Sequence, residues 1–191
     1  MTIGRCNMNA TLLKILHPNN LTMLRMVLVP VLIVVMLFYP TALMSFIAAL
    51  IFAVASFSDF LDGLIARRYN LVSEFGKLMD PIADKLIVAT AMIMLVGQEN
   101  LAAWIVAVII ARELAVTGLR CSMIERNMNI AASILGKFKT IFQLVGVLCL
   151  LLNYTYLGID FHAVGMLLIY IALVFTIWSG ADYFWRFKKA L

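Results

Sequence analysis

Charge is scarce in this sequence. Only 13% of its 191 residues are Asp, Glu, Lys or Arg, whereas 64% are hydrophobic and mean hydropathy is +1.03. A soluble domain needs a hydrated, charged surface, so this composition fits a polytopic helical membrane protein instead. A strand-and-turn rhythm and a fixed-period repeat are also lacking, which argues against a β-barrel. The three cysteines, Cys6, Cys121 and Cys149, are odd in number and have no CxxC spacing. They give neither a disulfide framework nor a zinc site, and read as reduced thiols. The formal charge of +5 is not gathered on a solvated basic face, so nucleic-acid binding is excluded. Twelve methionines read as lipid-facing and gap-filling core.

What is present is a series of apolar runs with short polar breaks. They predict an all-α integral membrane protein with six transmembrane helices, over 21–38, 41 to the first Asp pair, 80–96, 101–123, 134–152 and 161–181. Asn20 is placed to cap the first span. A short interfacial helix over 10–17 precedes it, so the expected organisation is an N-terminal segment (1–19) and a transmembrane catalytic domain (20–191). The first apolar run is too long for a secretory signal and lacks a small-residue cleavage site after it. His17 reads as an interfacial side chain rather than a catalyst. The polar segment 67–77 is read as a loop. Pro81 either opens the third span with Asp80 as its cap, or kinks a helix begun near Ser73.

Six spans place both termini on one side. The turns near Pro40, over 97–100 and over 153–160 contain no Lys or Arg, so they face outward and the basic loops and tails face the cytoplasm. Tyr39, Trp104, Tyr154 and Tyr156 fall where an outer aromatic belt belongs. The expected location is the cell (inner, cytoplasmic) membrane, multi-pass, with membrane lipids as surroundings.

Four aspartates stand in two pairs, Asp59/Asp62 and Asp80/Asp84, beside segments apolar enough to enter a membrane. Spacings of three and four put each pair on one helical face. One Asp at the bilayer centre costs roughly 2.5–3.5 kcal/mol on lenient scales, so four need a compensating partner. A hard divalent cation is the natural one. The pattern Asp59-x-x-Asp62-Gly63-x-x-Ala66-Arg67, then Gly76-x-x-x-Asp80-x-x-x-Asp84, resembles the signature of the CDP-alcohol phosphotransferases. These membrane enzymes join a CDP-activated group to an alcohol with loss of CMP. The resemblance implies Asp59, Asp62 and Asp80 as metal ligands. It implies Asp84 as a ligand that also takes the proton of the incoming hydroxyl, with a purely ligating role as the other reading. Mg²⁺ or Mn²⁺, two ions in all, suits the all-oxygen set. CDP binding would use Asp59, Asp62, Gly63, Ala66 and Arg67. For Gly63 and Ala66 the competing role is helix packing through small residues.

The acceptor half lies elsewhere. Arg112 sits about 16 Å into the fourth span at 1.5 Å per residue, too deep to snorkel, and should face inward. Glu113 is its neighbour, and adjacent residues do not face each other on a helix, so Arg112 is expected to need another anion: a motif Asp or a bound phosphate. Arg120, Lys137 and Lys139 approach from the same aqueous side. Four converging cations suit a phosphorylated acceptor, whereas Arg120, Lys137 and Lys139 also fit positive-inside anchoring. The segments Arg112-Glu113-Leu114-Ala115-Val116-Thr117-Gly118-Leu119-Arg120, Gly136-Lys137-Phe138-Lys139-Thr140 and Pro18-Asn19-Asn20-Leu21-Thr22-x-x-Arg25 are similar to the family branch that makes phosphatidylglycerophosphate. That resemblance implies CDP-diacylglycerol as donor, glycerol 3-phosphate as acceptor, and a homodimer. It covers 18–140; the last two spans carry no recognised motif. A sister enzyme acting on inositol phosphate or serine and an ion-coupled transporter are the alternatives. Acids clustered at the cytoplasmic ends, rather than at broken helices in the midplane, speak against the transporter.

Overall fold

In lipid every backbone N–H and C=O must be satisfied within the chain, and helices achieve this segment by segment. The computed structural model describes the backbone over 18–38, 41–69, 74–125, 134–156 and 158–190. Within these stretches side chains are described except at 18–22, 59–69, 74–84, 120–125, 134–135, 155–156, 159, 186–187 and 189–190. Six α-helices are found among the described residues: α1 (Pro18–Leu37), α2 (Ala42–Tyr69), α3 (Glu74–Gly97), α4 (Ala103–Glu125), α5 (Ile134–Leu152) and α6 (Phe161–Ala190). Between α5 and α6 stands a two-stranded antiparallel hairpin, β1 (Thr155–Tyr156) and β2 (Ile159–Asp160), with Thr155 opposite Asp160 and Tyr156 opposite Ile159. The chain is thus mainly helical, as expected. The interfacial helix expected over 10–17 lies outside the described residues.

Several boundaries differ from the reading of the sequence. Helix α1 begins at Pro18, a residue that tolerates the first helical turn, so Asn20 lies inside it rather than capping it. Helix α2 continues through Arg67 and Arg68 to Tyr69, and α3 begins at Glu74, so most of the presumed loop 67–77 is helical. Of the two readings of Pro81, the helix begun near Ser73 agrees with α3, inside which Pro81 lies. Helix α6 runs on to Ala190, nine residues past the end expected for the sixth span. Helix α5 has the bounds expected for the fifth apolar run.

Local chemistry explains the ends. Thr41 Oγ1 accepts from Met44 N at 3.3 Å at the start of α2, and Asp160 Oδ1 accepts from His162 N and Ala163 N at 2.9 and 3.2 Å at the start of α6. After α3 the chain turns at Glu99, whose φ of 59° lies in the left-handed region, with Asn100 N donating to Leu95 O at 3.0 Å.

Contacts divide the chain into two compact units, Met1–Ala91 and Met92–Leu191, the division falling within α3. In the first, α1 and α2 pack together. The buried stripe of α1 is Arg25, Val29, Leu32 and Met36; that of α2 is Ser45, Ala48, Ala49, Phe52, Ala55 and Ser58. Steps of three and four residues mark one helical face, and the alanines allow close approach. In the second unit α6 packs against both α5 and α4. Two glycines set the α5–α6 approach. A Cβ on Gly165 would lie 2.9 Å from Leu150 N, and one on Gly146 would lie 3.0 Å from Ile169 Cγ1.

Outward faces are apolar. Val27, Phe57, Leu167, Val174, Ile177 and Trp178 are all exposed. The stretch Phe161–Trp185 is the one segment, among the described residues, both long and apolar enough to cross a membrane, and only 28% of its apolar window is buried. A soluble core helix would be mostly buried, so lipid contact is the natural explanation. Shorter apolar helices occur at Met23–Leu37, Ala42–Ser58 and Lys85–Gly97.

The glycine contacts can be tested by thermal unfolding in detergent. Gly165→Ala should destabilise by about 1–3 kcal/mol, because its Cβ meets backbone. Gly118→Ala, where nothing lies within 4 Å of the new Cβ, should be stabilising by up to about 1 kcal/mol. Equal effects would contradict the described packing.

Candidate active site

The two acidic pairs fall on helices. Asp59 and Asp62 occupy the C-terminal half of α2, together with Gly63, Ala66 and Arg67; Asp80 and Asp84 occupy the N-terminal half of α3. Helical backbone over each pair means that members three or four apart share a face. The side chains of these residues lie outside the described ones, as does that of Arg120. Among the described residues no group of three or more His, Cys, Asp or Glu could hold a metal ion. Four carboxylates are, in their chemistry, a set of donors that fits a hard divalent cation.

The basic half is described in more detail. Each of three helices carries its buried apolar stripe into a polar end. On α4 the stripe Ile105, Ile109 leads to Arg112 and on to Val116. On α5 the stripe Leu150, Val147, Gln143 leads back to Lys139. On α6 the stripe Ile169, Ala172, Leu173 leads to Thr176 and Ser179. Side chains on these polar ends touch. Lys139 Nζ and Arg112 Nη1 both pair with Glu113 Oε1, the arginine at 3.5 Å, and Arg112 Nη2 donates to Ser179 Oγ at 2.7 Å. Lys139 has a side chain only 2% exposed; those of Arg112 and Glu113 are 16% and 24% exposed. Gln143 Nε2 donates to Met92 Sδ at 3.8 Å, and Phe142 stacks on Phe175 beside the cluster.

Two expectations are corrected here. Arg112 and Glu113 do meet, although they are sequence neighbours. The rule for adjacent residues describes Cβ directions, and two long side chains can still converge at their tips. Arg112 is thus provided with a carboxylate and a hydroxyl by its own unit. Second, Lys137 is exposed while Lys139 is buried, so the two lysines do not converge. Residues two apart on a helix point about 200° apart at 3.6 residues per turn. Of the four expected cations, Arg112 and Lys139 are brought together.

Three residues escaped the sequence reading: Glu113, Ser179 and Gly180. Glu113 was dismissed by spacing. Ser179 and Gly180 sit on the buried stripe of α6, and that polar interruption of an apolar face was their one available signal. A Cβ on Gly180 would lie 3.2 Å from Arg112 Cγ.

Comparison with known proteins adds an independent line. A family model described as CDP-alcohol phosphatidyltransferase matches residues 15–178, most of the chain. The chain belongs to the CDP-alcohol phosphatidyltransferase family. The matched region contains both acidic pairs, Arg112, Glu113 and Lys139, and stops just before Ser179. A protein of Bacillus subtilis (strain 168) named CDP-diacylglycerol–glycerol-3-phosphate 3-phosphatidyltransferase is 39% identical, the match covering 91% of this chain and 96% of that one. Relatives with the same name in Rickettsia felis and Shigella flexneri serotype 5b are each 39% identical. They cover 90% and 87% of this chain, and 95% and 91% of their own lengths.

The charge cluster can be tested by stability. Glu113→Ala leaves buried Lys139 without this carboxylate and should destabilise by about 3 kcal/mol. Adding Lys139→Met should recover most of that loss, because an apolar side chain needs no counter-charge. Unchanged unfolding temperatures in the single variant would mean that the pair does not form.

Proposed function

We infer that this protein transfers the phosphatidyl group of CDP-diacylglycerol to glycerol 3-phosphate, giving phosphatidylglycerol phosphate and CMP. The observation that carries it is the set of relatives named for this reaction, 39% identical over about nine-tenths of the chain. The acidic motif and the Arg112–Glu113–Lys139 cluster supply the chemistry that such a reaction requires.

A hydroxyl oxygen of glycerol 3-phosphate forms a bond to the phosphorus that carries diacylglycerol, and the bond from that phosphorus to the CMP oxygen breaks. The hydroxyl proton passes to Asp84. Mg²⁺ or Mn²⁺, two ions held by Asp59, Asp62, Asp80 and Asp84, would neutralise charge on the pyrophosphate and the departing CMP. Gly63 and Ala66 leave room for the cytidine nucleotide beside Asp59 and Asp62, and Arg67 pairs with its phosphate. Arg112 and Lys139, with Arg120, bind the acceptor phosphate by charge-assisted hydrogen bonds, while exposed Lys137 serves as a positive-inside anchor. Catalysis of this kind rests on positioning and charge stabilisation. Attack is direct, since no Ser, Cys or His stands at a fixed position of the motif and the hydroxyl of neighbouring Ser58 donates to Val54 O.

The setting is the cytoplasmic membrane. Six helices span it, both termini and the site open to the cytoplasm, and two copies form a homodimer. The distribution of Lys and Arg supports that orientation, and the apolar outward faces support lipid contact. Segment 1–19 precedes one catalytic domain over 20–191.

The test is CMP release by purified protein with CDP-diacylglycerol, glycerol 3-phosphate and Mg²⁺. Release should require the acceptor, stop on chelation of the metal, and fall at least about 100-fold in Asp84→Asn. Release that persists without acceptor, or in Asp84→Asn, would contradict the assignment.

A further inference from the structure

The last helix carries no recognised motif, yet it holds the guanidinium of the basic cluster. Arg112 Nη2 donates to Ser179 Oγ at 2.7 Å, while Ser179 Oγ lies 2.5 Å from Phe175 O. A serine hydroxyl has one proton and two lone pairs. With its proton on that backbone carbonyl, Ser179 presents lone pairs to the guanidinium, the polarity a cation needs. Ser179 itself is 2% exposed, so packing fixes its position.

The neighbouring residue makes the approach possible. Gly180 has no side chain, and a Cβ there would press on Arg112 Cγ at 3.2 Å. The stem of the arginine therefore lies close against the backbone of α6. On its other side Nη1 meets Glu113 Oε1 at 3.5 Å. Two nitrogens of one planar fork are thus held from two helices, which fixes the plane as well as the place of the charge.

Orientation matters for a planar donor that must meet a phosphate. A guanidinium held in one plane loses less freedom on binding than one that swings. We propose that Ser179 is a positioning residue for acceptor binding: from α6 it sets the guanidinium of Arg112 in the orientation that takes the acceptor phosphate. This rests on the reading above that Arg112 binds that phosphate, and it brings the last helix into acceptor recognition.

The test is steady-state kinetics of the full-length protein, with glycerol 3-phosphate and CDP-diacylglycerol varied separately. Ser179→Ala should raise KM for glycerol 3-phosphate about tenfold, the loss expected for one hydrogen bond to a charged group, with KM for CDP-diacylglycerol within about twofold of wild type. Merely structural damage would move both. In an Arg112→Lys background, which lacks the fork, Ser179→Ala should add less than about twofold, because its effect runs through Arg112. Equal shifts in both KM values, or effects that multiply in the double variant, would overturn the proposal while leaving the acceptor reading intact. If Arg112→Lys alone leaves KM for glycerol 3-phosphate unchanged, the acceptor reading falls and the proposal with it.

Discussion

An ionised side chain inside an apolar chain needs an opposite charge, a hydrogen-bonding partner or a bound ligand, and the rest of this structure is arranged around that requirement. With 13% charged residues, each charge that enters a buried stripe interrupts an otherwise apolar face. The charges are grouped along the chain. One set is the two acidic pairs on the helical backbone of α2 and α3; a second is Arg112, Glu113 and Lys139 on α4 and α5, and Arg25 stands in the buried stripe of α1. The first is a surplus of negative charge that fits divalent cations. The second is a net positive cluster, tempered by one carboxylate, that fits an anion.

Glu113 gives the second cluster its character. Two cations with no counter-charge would repel each other and resist burial, whereas one shared carboxylate holds them together and leaves an excess of one positive charge. Such an arrangement is stable before an acceptor arrives and still attractive to a phosphate. The small residues of α6 serve the same end, since Gly165 lets α5 approach closely and Gly180 admits the arginine stem.

Much of this was legible in the sequence because it depends on local patterns. Apolar runs marked the helices, and 134–152 was placed to the residue. The Asp59–Asp84 spacing and the Arg112 and Lys139 segments pointed to the family that the comparison then gave. Failures had physical causes. Segment 67–77 looked like a loop because it is polar, but polarity does not break a helix, and α2 continues through Arg67 and Arg68 to Tyr69. Pro81 left two readings open, and the one with a helix begun near Ser73 is the one that agrees with α3 starting at Glu74. The polar break at Ser179 marked a position on α6 but not its role, which depends on α6 lying against α4, a tertiary contact.

The central claim is that the carboxylates serve a CDP-activated lipid and the cations select an acceptor that carries phosphate. The most direct measurement is CMP release from CDP-diacylglycerol by the purified protein, with glycerol 3-phosphate, glycerol and serine supplied in turn at matched concentration. Release should be fast with glycerol 3-phosphate and slower by about 100-fold or more with the two acceptors that lack phosphate, as expected when a charge-paired group is missing. Equal rates with all three, or a preference for serine, would contradict the role given to Arg112 and Lys139.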